Sequence, residues 1–86
     1  MIKFSVIAHK KPGNFSVPRR VLHQLEIGQD EPIHLVVEGD GVRWEGTIEL
    51  RSGEQVYSRR DEPHTYGLLG IRPYQTLTVT ASRPAG

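Results

Sequence analysis

The feature that most constrains this chain is a pattern that occurs twice. Residues 13–27, GNFSVPRRVLHQLEI, run glycine, a short strand with Phe15 and Val17, a proline, two arginines and a helical stretch. Val21, Leu22 and Leu25 share one face of that stretch, and Pro18 suits its first position, where the missing N–H would be unpaired anyway. Residues 53–71, GEQVYSRRDEPHTYGLLGI, follow the same order. An offset of 40 places Phe4 on Trp44, Gly13 on Gly53, Val17 on Tyr57, Arg19 on Arg59 and Arg20 on Arg60. After four extra residues the offset becomes 44, placing Leu25 on Leu69, Ile27 on Ile71, Ile33 on Leu77, Leu35 on Val79 and Val37 on Ala81. Each half, about 1–39 and 42–82, then reads strand–strand–helix–strand. Neither half can cover its own apolar face, so the two must share one core. The expected fold is mostly β with two short helices, a single small pseudobarrel domain over 1–82 built from two interlocked halves. Closure into a barrel would also remove exposed sheet edges.

The rest of the chain fits this frame. Ile2, Phe4, Val6 and Ala8 alternate with Lys3, Ser5, Ile7 and His9, the period of a strand, with Ile7 the one breach. His9-Lys10-Lys11-Pro12-Gly13-Asn14 is a polar loop with a Pro-Gly turn, and Gly28 stands where a helix stop is expected. A third strand carries Ile33, Leu35 and Val37. Gly39-Asp40-Gly41 then predicts a hairpin into a strand over 42–50, with Val42, Trp44, Gly46, Ile48 and Leu50 inward. Ser52-Gly53 predicts another hairpin, into a strand over 55–58. Asp61 can cap one or two helical turns over 61–70, although Gly67 and Gly70 weaken them. Leu77, Val79 and Ala81 mark an inward strand face against Thr76, Thr78 and Thr80. Residues 83–86 are expected to fray as a flexible tail.

Composition excludes several classes. The 86 residues suit one domain with an adequate core. There is no cysteine, so disulfides and thiolate metal sites are out, and a cytoplasmic protein is expected. No apolar run is long enough to span a membrane, and MIKFSVIAHKK lacks the long apolar region of a signal peptide. His9, His23, His34 and His64 have no metal-ligand spacing, no glycine-rich phosphate loop occurs, and no nucleophile motif frames a serine. Neither a cofactor nor an enzymatic activity is therefore expected. Net charge is +1, but it is unevenly spread: residues 26–49 hold seven acids and one base, a net of −6, and the rest holds ten bases and three acids, a net of +7. Such asymmetry points either to a polyanion-facing surface or to charges that solvate outward strand faces.

NFSVPRRVLHQLEI, GVRWEGTIELRSGEQV and LLGIRPYQTLTVTA together resemble DNA-binding pseudobarrel domains, a group that includes the effector domains of EcoRII-type restriction endonucleases and plant B-three transcription-factor domains. The resemblance implies two loops that grip the major groove of double-stranded DNA. On this chain they are 9–14, with His9, Lys10, Lys11 and Asn14, and 49–54, with Arg51 and Ser52; the second departs from a basic arm in carrying Glu49 and Glu54. Lysines and arginines of such arms set a salt-dependent affinity, while Asn14, Arg51 and Ser52 are of types that reach base edges. Arg19, Arg20, Arg59 and Arg60 stand near helix starts, where backbone N–H groups favour phosphate. Val17-Pro18-Arg19 followed by Leu25-Glu26-Ile27-Gly28 is also similar to AbrB-type swapped-hairpin regulators of the cradle-loop barrel group. Their Gly-Asp signature after the helix is missing here from both halves. Any catalysis in the parent system is expected on another domain or chain. Two other readings stay open: a protein-interaction or substrate-recognition barrel using the acidic 26–49 segment, and single-stranded nucleic-acid binding if Trp44, Tyr57 or Tyr66 is exposed.

Overall fold

The alternation at the N-terminus becomes β1 (Ile2–Ile7), with Phe4 and Ala8 buried and Ile7 turned outward. The computed structural model describes residues 1–11, 13–28, 31–50, 55–56 and 63–84. After β1 come β2 (Phe15–Ser16), α1 (Arg19–Gln24), β3 (Pro32–Gly39), β4 (Val42–Glu49), β5 (Gln55–Val56), a 3-10 helix (Pro63–Gly70) and β6 (Thr76–Ser82). Strand–strand–helix–strand thus occurs twice. Ile33, Leu35, Val37, Leu77, Val79 and Ala81 are all fully buried, as strand alternation requires when one face meets a core. Among the described residues no helix is long and apolar enough to cross a membrane.

Among the described residues the strands pair only between halves. One antiparallel sheet has the order β1-β6-β3-β4, and β2 pairs with β5 in a second. The hairpin expected from β4 into β5 is therefore replaced by a longer-range partner. Phe15 faces Val56 and both are buried, so a dry apolar pair forms across the halves where a local hairpin would leave Val56 without one. Ser52-Gly53, the turn of that hairpin, lies outside the described residues. The expected closure is also not seen: among the described residues the two ladders stay separate and β1 and β4 remain sheet edges. The two-residue β2 and β5 pair with each other and are too short to bridge those edges.

The symmetry between halves is slipped. Under offsets of 40 and 44, the pair Ile2–Ala81 would correspond to Val42–Val37, yet Val42 faces Gly39 and Val37 faces Trp44. The register makes Ile2 the equivalent of Trp44, and Phe4 the equivalent of Gly46. A two-residue slip keeps every inward side chain inward, so the apolar pattern tolerates it. The offset of 44 holds well at the turns before β3 and β6. Glu31 Oε1 accepts from Gly28 N–H at 3.0 Å, and Gln75 Oε1 accepts from Arg72 N–H at 2.9 Å. In each turn the backbone N–H of the fourth residue also donates to the carbonyl of the first.

Helix α1 begins one residue later than its sequence suggests. Pro18 is the N-cap, with an extended φ of −58° and ψ of 139°, and its carbonyl accepts from Val21 N–H at 3.0 Å. The helix stops at Glu26, not at Gly28. Glu26 N–H donates to His23 O at 3.1 Å and Ile27 N–H to Leu22 O at 3.0 Å, the paired bonds of a Schellman closure, with buried Ile27 and Leu22 as its apolar contact. Glu26 takes the left-handed position at φ 55°. The tail supports this end: Arg83 Nη1 donates to Leu25 O at 2.9 Å and to Glu26 O at 2.8 Å. The expected fraying therefore does not begin at Arg83, because its guanidinium satisfies helix-end carbonyls. Residues 85 and 86 lie outside the described residues. Glu26→Gly should raise stability by about 0.5–1 kcal/mol, since glycine adopts this φ without steric cost. A thermal melt checks this, and a lowered Tm would contradict it.

The turn at Asp40-Gly41 joins β3 to β4 with positive φ at Gly41 alone, at 77°. Asp-Gly hairpins that twist most favourably need it at both residues. Here the tip is held from outside, by Gln75 Nε2 donating to Asp40 O at 3.0 Å and by Arg72 Nη2 donating to Asp40 Oδ2 at 3.5 Å.

Candidate nucleic-acid interface

The loop after β1 is built on a fixed frame. His9 N–H donates to Asn14 O at 2.8 Å and Asn14 N–H to Lys11 O at 3.3 Å, while Gly13 supplies a φ of 83° that a side chain would strain. The His9 ring meets Ser16 Oγ through Nε2 at 2.9 Å and ties the loop to β2. These bonds leave Lys10 and Lys11 exposed at the tip, with no acidic partner among the described residues.

The other residues singled out by the sequence fall differently. Asn14 is only 8% exposed, so its side chain belongs to the base of the loop and not to its outer surface. Asparagine suits a tight turn as well as a base contact, and here the turn takes it. Arg19 and Arg20 are exposed on the first turn of α1, directly after β2. That helix has six residues and no side-chain cap, too short a helix for an anion site at its end. Arg51, Ser52, Arg59 and Arg60 lie outside the described residues, as does most of the 49–54 arm. Of the aromatics considered for base stacking, Trp44 is 7% exposed and Tyr66 is 55% exposed, while Tyr57 lies outside the described residues.

Strand directions set where the two arms begin. Because successive strands of β1-β6-β3-β4 are antiparallel, Ile7 and Glu49 close their strands at opposite ends of the sheet. The chain segments that follow the arms then meet, since β2 pairs with β5. The segments at 9–14 and 49–54 thus start from opposite ends of the sheet.

Lys3 and the Lys10-Lys11 loop belong to the β1 edge, while Glu38, Glu45 and Glu49 stand on β3 and β4 across the sheet. Several of the acids are engaged. Glu45 Oε2 meets His34 Nε2 at 2.9 Å, its Oε1 lies 3.9 Å from Arg43 Nη2, and Asp40 faces Arg72. His34 Nδ1 also meets Thr47 Oγ1 at 2.9 Å. This hydroxyl–imidazole–carboxylate series lies on the open sheet face, with Thr47 directly opposite His34 and Glu45 its diagonal neighbour, and its role is cross-strand pairing.

The turn Arg72–Gln75 was not marked as functional by the sequence. Tyr74 N–H donates to His9 O at 3.4 Å and Ala8 N–H to Gln75 O at 2.8 Å, so this turn lies along the root of the lysine loop. The legible signal was the recurrence of Gly28-x-x-Glu31 as Arg72-x-x-Gln75 at an offset of 44. No family model matches the chain, and no curated protein or solved structure matches it either.

Proposed function

We propose that this chain is a non-catalytic module that binds double-stranded DNA, the recognition part of a nuclease or transcription regulator whose other parts lie elsewhere. The observation that carries the reading is the Lys10-Lys11 tip: two exposed cations on a braced loop, with no acidic partner among the described residues. Phosphate contacts by such cations set affinity and register without reading sequence. The duplex meets the 9–14 arm, with Arg19 and Arg20 adding to the positive charge near it.

The test is the salt dependence of duplex binding. Lys10→Ala with Lys11→Ala should weaken binding to any duplex alike and reduce the slope of log affinity against log salt by about 2. An unchanged slope would sink the reading. The second reading, a protein-interaction domain, is favoured by the exposed Glu38, Glu45 and Glu49 beside the unpaired edge of β4. It requires that no duplex be retained at low salt, and that charge reversal in the 26–49 segment disrupt capture of a protein partner.

A further inference from the structure

Two described residues other than glycine hold a positive φ, Glu26 and Tyr74, the latter at 60°. Glu26 closes a helix and has its carbonyl gripped by Arg83. At Tyr74 the turn itself asks for a positive φ, since Pro73 stands before it, but the residue that fills the position is a bulky one. It is the third residue of the four-residue turn closed by Gln75 N–H to Arg72 O at 3.1 Å, and glycine would occupy that position without strain. Its ring is 65% exposed, so burial does not compensate for the strained backbone. A bulky residue in this conformation is uncommon, and strain of this kind clusters where ligands are met.

The position of the turn indicates which ligand. Tyr74 is bonded to His9 at the root of the lysine loop, and Ile7, 64% exposed, faces Thr76 at the same end of the sheet. Tyr74 and Ile7, both exposed, therefore belong to the end of the sheet from which the Lys10-Lys11 loop springs. Asn14, the base-reading candidate of this arm, is buried. Apolar contact in a DNA major groove has one specific target, the thymine methyl group.

We infer that Tyr74 is the base-contacting, specificity-determining residue of this arm, packing with Ile7 against thymine methyl groups while Lys10 and Lys11 hold the flanking phosphates. This rests on the DNA-binding reading above. The two act through different physics: the lysines release counterions, and the Tyr74 ring does not.

The experiment compares the full chain with Tyr74→Gly and Tyr74→Asn, both of which tolerate positive φ and lack the ring. Each is titrated with a duplex of alternating A·T pairs and with the same duplex carrying uracil for thymine. The native chain should prefer the thymine duplex. Tyr74→Gly should bind it about fivefold or more weakly, with an unchanged salt slope, no preference between the duplexes and a Tm raised by about 4–8 °C. Tyr74→Asn should show the same loss, and Tyr74→Phe should keep affinity and preference. Native affinity and preference in both ring-less variants would overturn the inference and leave the DNA reading standing. A native chain that shows no salt-dependent binding to either duplex would overturn the DNA reading itself.

Discussion

Gly46→Ala is expected to destabilise this protein by about 1–3 kcal/mol, and Gly67→Ala by a similar amount, although neither adds more than a methyl group. The reason is a single indole. A Cβ on Gly46 would lie 2.6 Å from Trp44 Cζ2 and 2.8 Å from Cη2, and one on Gly67 would lie 2.9 Å from Trp44 Cδ1. Gly46 is the next inward residue after Trp44 on β4, whereas Gly67 comes from the 3-10 helix, so the ring is clasped between a strand and a helix. It is buried and cannot swing clear, as the end of a flexible side chain would. Trp44→Ala should cost more, about 3–5 kcal/mol, against a total of about 4–13 kcal/mol for a domain of this length. Denaturant titration measures all three. The mechanism predicts coupling: in a Trp44→Leu background, Gly46→Ala should lose most of its penalty. An equal cost in both backgrounds would show that the glycine serves the backbone and not the ring.

Gly67 also shows what could and could not be read from the sequence. There it weakens a helix, because glycine lowers helix propensity; in the fold it is the space into which Trp44 packs. The inward faces of β1, β3, β4 and β6 were legible, since a two-residue period needs only local pattern. Which strands pair was not. Ser52-Gly53 is a local hairpin signal, while the Phe15–Val56 pair that decides the topology joins residues far apart in the chain. The slip between halves was hidden for a related reason, because a shift of two preserves the period. At the candidate interface, Lys10 and Lys11 stood out by charge and by their Pro-Gly turn. The burial of Asn14 was not legible, since the same residue type serves turns and base contacts. Tyr74 escaped notice because a positive φ is expected of glycine, and RPYQ contains none.

Cutting the chain between Asp40 and Gly41 should leave the fold assembled, while each half alone should fail to fold as a monomer. Among the described residues β1, β2 and β3 form no ladder with one another, and neither do β4, β5 and β6. A free half 1–40 therefore has three strands with every partner missing, and Phe4, Phe15 and Leu35 without the Val56, Leu77 and Val79 that share their core. Mixing the halves restores all four ladders and removes only the covalent link at one exposed turn. If that link supplies an effective concentration of about 1 mM, the halves should associate with a dissociation constant of about 1 μM or tighter. Circular dichroism and sedimentation of each half, then of the mixture, test this, with the native spectrum returning in a concentration-dependent way. High concentration can drive either half into a like pair, since its strands have a near-equivalent in the other copy, but a folded monomeric half would contradict the interlocked topology. The same topology bears on the DNA-binding proposal: the β2–β5 ribbon exists only when both halves are present, so under that proposal duplex binding should appear with the mixture and be absent from either half as a monomer.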